Sequence, residues 1–297
     1  PRSILLVDVG AQPAEELPGL IAEIFRSGRR PLLLHDPQAR TFGEAVGHAV
    51  RDDARARWLW LLHDDSAPRS DALARLLTAV ELAPSVVLAG CKQLAWSDPT
   101  RLLEVGISTS RFGRRMTMLD DHEVDQGQHD GRDDMLGVGL AGALVRRDVW
   151  DELGGPDPAL GPYRDGLDLS RRARLAGHRV VVVPGAAVLH AQASLGLDGH
   201  RREGWDLRRS TRLRREAYLR SQLVGAPAAL VPVVVVLSVL SGLGRAVLRL
   251  VLKEPNLVVP ELRAPLAVLS RPDRLIAARA TARRTRRLRR STLRPLE

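Results

Sequence analysis

At 297 residues the chain has room for one large α/β domain, or for a domain of about 200 residues with an appendage. Its formal net charge of +10 averages two unlike parts, since residues 1–200 are net −5 and residues 201–297 net +15, with Lys92 and Lys253 as the only lysines. One cysteine, Cys91, excludes an intrachain disulfide, suits a reducing compartment and reads as a small buried hydrophobe rather than a nucleophile.

The chain begins at Pro1-Arg2 without a methionine or signal peptide, so the expectation is an excerpt of a longer protein. Ser3 to Val9 reads as a buried strand, and Ala14 to Ser27 as a helix with Leu17, Leu20, Ile21 and Ile24 at helical spacing. A strand at Pro31 to His35, a helix at Thr41 to Asp52 and a strand at Trp58 to Leu62 complete a β-α-β-α-β order. That order predicts a mostly parallel sheet with crossover helices. The last of these strands stops at two adjacent acids, Asp64 and Asp65. Acids at the carboxyl end of a buried strand are placed to bind a substrate or metal, while the following Ser66-Ala67-Pro68 suits an ordinary cap and turn. This window leaves both readings open.

A helix from Ser70 to Leu82 and a strand from Ser85 to Ala89 follow. Leu102 to Asp134 is polar and aperiodic, which predicts hairpin and loop; its acidic clusters at Asp120–Glu123 and Asp125–Asp130 read as solvated, with acceptor contact the alternative. Gly137 to Val145 reads as a glycine-rich strand, Asp148 to Leu153 as a short helix ended by Gly154-Gly155-Pro156, and Asp168 to Gly177 as a helix that Asp168 caps. On that helix Arg171, Arg172 and Arg174 are expected to be mostly solvated, and Trp96 and Trp150 read as core rather than stacking platforms for a ligand. Strands at Arg179 to Val183 and Ala187 to His190 flank Pro184-Gly185.

Beyond His190 the character changes. Leu223 to Gly244 carries no charge over 22 residues, just enough for a bilayer core of roughly 30 Å. Basic residues flank it on both sides, which favours a re-entrant or in-plane segment with Arg245 and Arg249 at the headgroups. Ten arginines between Arg271 and Arg294 are expected to face anionic membrane lipid, and the lack of any aromatic from residue 253 onward argues against nucleic acid. The expected organisation is an α/β domain at 1–195, a basic linker or helix at 196–222, an apolar membrane-embedded or interfacial segment at 223–252 and an arginine-rich tail at 253–297.

Four stretches together resemble the family-2 glycosyltransferases of the GT-A fold: FGEAVGHAV (42–50), LLHDDSAP (61–68), GLAGALVRRDVWDELGGPDPAL (139–160) and YRDGLDLSRRARLAGHRVVVVPGAAVLH (163–190). The apolar and basic extension is similar to that of membrane-associated members of actinobacterial type, which build cell-envelope glycans. The resemblance implies an inverting enzyme on the cytoplasmic face of the cell membrane. It would use a nucleotide-sugar donor, a glycan or lipid-linked acceptor and a divalent cation, Mg²⁺ or Mn²⁺, to offset charge on the diphosphate leaving group. It places Asp65 at the metal-binding acid, His63 where an acid often stands and His190 at a histidine that helps hold the metal or diphosphate. Asp64 would contact the donor ribose or cap the next helix, and Asp8 matches an acid that reads the nucleobase, although Gly10-Ala11-Gln12-Pro13 departs from the usual continuation. The usual catalytic base position, within Asp165-Gly166-Leu167-Asp168, holds glycine. Asp165 is the nearest substitute and Asp168 the companion acid; the alternative is a catalytically impaired scaffold or regulatory relative. The family's first strand, one wall of the nucleotide pocket, has no counterpart from Pro1 onward and is expected to precede it.

Overall fold

The computed structural model describes residues 3–25, 30–51, 56–193 and 206–297. The predicted helix ends at Ser27 and Asp52 and the linker up to residue 205 lie outside the described residues. The first unit is a parallel pair, β1 (Leu5–Asp8) with β2 (Leu32–His35), joined through α1 (Leu17–Ile24). After α2 (Phe42–Ala49), which Thr41 caps through its hydroxyl and the Glu44 N–H, comes the main sheet.

That sheet contains β3 (Trp58–Trp60), β4 (Ser66–Pro68), β5 (Val86–Ala95), β6 (Leu102–Glu104), β9 (Leu144–Arg146) and β10 (Arg179–His190), in the order β3-β9-β5-β10-β4 with β6 also on β5. Between β6 and β9 lies a small hairpin of β7 (Ser108–Thr109) and β8 (Arg115–Met116). The expectation of a mostly parallel sheet is corrected: of the main-sheet pairs only β5 with β10 is parallel, while β9 and β4 run against their neighbours. The cause lies in the segment read as one long strand from Gly137. Gly142 adopts a left-handed φ of 82°, a turn that an L side chain resists, and only Leu144 to Arg146 then pairs, reversed, between β3 and β5.

Helices cover both faces of the sheet. On one, α3 (Ala72–Leu82) packs Ala72, Leu76 and Val80 against Val86, Ala89 and Val188. On the other, α4 (Arg147–Leu153) and α5 (Gly161–Leu175) bring Trp150, Leu153, Leu169 and Ala173 onto Leu88, Val145 and Val180. β5 is buried at all ten residues, as a strand covered on both faces must be, and the Cys91 thiol is pushed up to about 12 by that burial. Helix α5 begins seven residues before the predicted Asp168, because Pro162 enters its first turn behind a short turn at Pro158–Leu160 that Asp157 caps. Its arginines are not solvated as a group. Arg172 reaches Asp168 and the Leu153 carbonyl, Arg174 reaches the Met135 and Val180 carbonyls, and both are buried.

The sheet is interrupted on one side. Hydrogen bonds of Leu61 with Ala143 and Gly142 turn alternate residues of this strand toward β9, so Trp58, Trp60 and Leu62 direct their main-chain groups the other way. The bonds of Ile4 and Asp8 to β2 likewise leave Leu5 and Val7 directed outward. All five residues line one cavity. Among the described residues neither of these strand edges is paired with a further strand.

The C-terminal third is helical: α6 (Leu207–Gly225), α7 (Val231–Val251), α8 (Val258–Leu269) and α9 (Pro272–Arg284). Helix α6 is tied to the sheet domain by Arg220 to Asp157 at 2.7 Å. Helix α7 lies on α8 through Ser238, Gly242 and Ala246, with Gly242 against Pro265 and the Glu261 carbonyl. Arg245 and Arg249 both bind Glu261, which is 1% exposed and also has Arg215 at 3.9 Å, while the Arg245 side chain stays 45% exposed. The tail also returns to the protein. Arg279 binds the Ala226 carbonyl, Arg287 binds Glu152, and Leu293 packs among Ile107, Leu136 and Leu167. Leu293→Ala should therefore cost about 2–5 kcal/mol in equilibrium unfolding, as for any fully buried leucine. A loss within 0.5 kcal/mol, roughly the surface-substitution range, would show an undocked tail.

Candidate active site

A single cavity of about 1760 Å³ runs from the open edges of β1 and β3 past the end of β3 to the start of α5 and the first turns of α6. His63, Asp64, Asp65, His190 and Asp165 all line it. Asp8 and Asp168 are not among its lining residues.

His63 and Asp65 sit in the tight turn from β3 into β4, which the Ser66 hydroxyl closes by accepting from the His63 N–H and donating to the His63 carbonyl. Pairing of β10 with β4 sets His190 opposite Ser66. Nε2 of His190 then lies 3.2 Å and Nδ1 of His63 3.9 Å from Oδ1 of Asp65. Oδ2 of Asp65 accepts from the Ala193 N–H at 2.8 Å. Burial alone would raise the Asp65 carboxyl, but His190, the Ala193 N–H and His63 together hold it well below the usual carboxylate range. Gln93 accepts from Nδ1 of His190 at 2.8 Å, which fixes the ring and leaves Nε2 to face Asp65.

This donor set fits a divalent cation. One atom from each of His63, Asp65 and His190 falls within 4.8 Å of the others, and the ring of His190 is already oriented from behind. Two imidazoles with one carboxylate suit Mn²⁺ better than Mg²⁺, which prefers oxygen ligands. Asp64 lines the cavity alongside, exposed.

Also lining the cavity, Asp165 stands in the first turns of α5. Burial pushes its carboxyl up to about 6, against the opposing effects of the Gly166 N–H and the Arg115 charge. The glycine at the usual base position has a structural reason. A Cβ on Gly166 would come within 2.4 Å of the Val138 carbonyl oxygen, so this side of α5 is pressed against the chain and has no room for a carboxylate. Asp165, one residue earlier, turns into the cavity instead. Asp168 lies inside the helix rather than at its cap, held by Arg172 at 2.7 Å and accepting from the Asp157 N–H. Asp8 accepts from the N–H groups of Gly10 and Ala14, which hold its carboxyl below the ordinary value and occupy it in the turn toward α1.

Three lining residues were not singled out in the sequence. Glu104 is buried, accepts from the Gly139 N–H at 2.6 Å and pairs with Arg115; Gln93 orients His190. An acid within the apolar Leu102-Leu103-Glu104-Val105 was a usable signal; Gln93 offered none. The acidic loop belongs elsewhere: Asp125 and Asp130 clamp the buried Lys92 at 2.9 and 2.6 Å, and none of 120–130 lines the cavity. Trp150 is core as expected, whereas the reading of Trp96 as core is corrected: it is 42% exposed, and it lies outside the lining.

Two measurements check this geometry. Asp65→Ala should abolish Mn²⁺ binding in calorimetry, and undiminished affinity would place the ion at other ligands. Gly166→Asp, which restores the acid to the usual position, should destabilise the protein by about 1–3 kcal/mol in urea unfolding, in the range for an overpacked core. Unchanged stability would show that α5 does not press on Val138.

No curated protein matches the chain. Among solved structures it is similar to GalNAc-T7 crystallised with UDP, GalNAc and Mn²⁺, with a TM-score of 0.53 at 14% identity, covering 78% of this chain and 48% of that one. The chain thus spans about half the length of that protein, and the likeness is one of fold, GT-A-like α/β. A structure of S. aureus TarS 1-349 aligns more loosely, with a TM-score of 0.43 at 9% identity over 94% of this chain and 78% of that one. Residues 32–216, more than half of the sequence, match the family model described as glycosyltransferase like family 2, and the chain belongs to that family.

Proposed function

We propose that this protein is an inverting, divalent-metal-dependent glycosyltransferase that moves a sugar from a nucleotide-sugar donor to a glycan or lipid-linked acceptor. Its setting is the cytoplasmic face of the cell membrane, in cell-envelope polysaccharide synthesis of the actinobacterial type. The observation that carries the reading is one cavity lined both by a His63-Asp65-His190 donor set and by a carboxyl of raised pKa, Asp165.

The divisions of labour follow from the chemistry. A cation held by His63, Asp65 and His190 would neutralise charge on the diphosphate as it leaves. Asp165 takes the proton from the acceptor hydroxyl as that oxygen bonds to the anomeric carbon and the bond to the diphosphate oxygen breaks. Attack from the face opposite the leaving group inverts the anomeric centre. A carboxyl raised to about 6 is a stronger base than an ordinary aspartate while still being mostly ionised at neutral pH. Glu104 and Arg115 pair in the same wall and set the local charge beside Asp165.

The membrane setting is supported by α7. The stretch Ala228–Val251 is long and apolar enough to cross a bilayer by length and composition alone, and most of it is uncovered by the protein. Val233, Val236, Leu237, Leu240, Leu243 and Val247 form an exposed apolar face opposite the side packed on α8. With Arg245 and Arg249 bound to Glu261, an in-plane seat on the lipid surface agrees with α7 and α8 remaining packed together.

The base assignment makes a pH prediction. Because Asp165 must be ionised to accept a proton, kcat/KM should fall as pH drops through about 6 and level off above it. Asp165→Asn should keep donor binding in calorimetry and lose roughly 10²- to 10⁴-fold in turnover. Full turnover in that variant would place the base elsewhere, whereas wild-type donor binding with no turnover on any acceptor would favour a non-catalytic relative.

A further inference from the structure

A second depression, of about 530 Å³, lies between the N-terminal end of α6 and the segment leading into α8. Arg208, Arg209, Arg212 and Arg263 line it, with Asp206, Asn256 and Val259. Such a concentration of guanidinium groups attracts an anion, and the described residues supply little negative charge against it. Asp206 is committed to capping α6, its carboxylate accepting from the N–H groups of Arg208 and Arg209. Arg212 has Glu216 at 3.4 Å. The side chains of Arg208, Arg209 and Arg263 have no acidic partner among the described residues.

We propose that this groove binds a phosphate or diphosphate group, presented as the head of a membrane lipid. Planar guanidinium forks match phosphate oxygens in pairs, and several converging on one site form the usual protein receptor for a multiply charged oxyanion. The Asn256 amide at the same rim supplies a further donor type. The apolar surroundings select the lipid as source: Val259, half exposed, lines the groove itself, and the last turn of α7 offers exposed Leu248, Val251 and Leu252. Asp206 and Arg209 also line the central cavity, so a head group held here lies along the wall that the transfer site shares. Phosphate binding in the groove stands apart from the transferase reading, and only the lipid source rests on the membrane setting proposed above.

The test is calorimetric titration with inorganic pyrophosphate in buffer containing EDTA, so that no cation can recruit the anion to Asp65. The wild type should bind, and Arg208→Gln/Arg263→Gln should weaken binding by about tenfold or more, in keeping with the loss of two charge-assisted contacts. Asp65→Ala should bind as the wild type does, which separates this site from the metal-dependent one. Arg283→Gln/Arg284→Gln, an equal charge change on exposed residues of α9, should also bind as the wild type does. Unchanged thermal melting of the groove variant would show that the loss is not unfolding. No binding by the wild type, or equal weakening in the two arginine-pair variants, would overturn the site. Sedimentation with phosphatidylcholine vesicles, with and without phosphatidic acid, then tests the source. The groove variant should lose the extra retention that phosphatidic acid gives, and retention equal to wild type would overturn the lipid as the source.

Discussion

The arrangement of the cavity depends on how β10 is held between two neighbours. It runs parallel to β5 for its whole length and meets β4 in the opposite direction only over its last residues, Val188 to His190. Val183 faces Cys91 and Ala187 faces Lys92, so residues 184–186 are looped out of the ladder. An odd number of extra residues reverses which side chains point to which face. That irregularity at Pro184-Gly185 therefore sets His190 opposite Ala95 and Ser66 with its ring toward Asp65 and its other nitrogen on Gln93. The two histidines and the aspartate come from places 125 residues apart or more in the chain, apart from the His63–Asp65 turn, yet they are fixed by one strand pairing.

A second constraint, close packing of α5 on the chain at Val138, decides what α5 presents to the cavity. Gly166 sits against the Val138 carbonyl and Gly137 against Ser170, and the Ser170 hydroxyl donates to the Gly166 carbonyl while accepting from the Val138 N–H. This seam rotates α5 so that Asp165 points into the cavity and Asp168 is turned toward Arg172 and the Asp157 N–H. The buried Glu104 braces the same seam from the far side through the Gly139 N–H. Gly166 also lines the cavity, but the Val138 carbonyl stands where its side chain would be, so the position takes no carboxylate without a shift of the packed chain.

The C-terminal helices obey a different rule. Several of their arginines are spent on the protein: Arg220 on Asp157, Arg279 on the carbonyls that end α6, Arg245 and Arg249 on Glu261. A carboxylate as buried as Glu261 persists because guanidinium groups surround it. Others, among them Arg283, Arg284 and Arg286 on the tail and Arg208 and Arg263 at the groove, have no acidic partner among the described residues. The positive charge of this part of the chain is thus divided between internal staples and a few open sites.

The sequence by itself determined the local elements and the kinds of chemistry available. Alternation of apolar runs with turn residues marked most of the strands and helices. The abrupt end of the Trp58 strand in two acids left metal ligand and helix cap both open, and it was the resemblance to a family, not a local signal, that singled out His63, Asp65 and His190 together. Tertiary structure decided the rest. The reversed direction of β9 follows from Gly142's left-handed turn and its two neighbours, the early start of α5 from a proline entering its first turn, and the docking of Leu293 from a pocket made by residues 107, 136 and 167. That Gly166 has no room for a side chain, while Asp165 beside it lines the cavity, depends on a backbone contact with Val138, and no pattern of polarity or spacing along the chain records how closely two segments will pack.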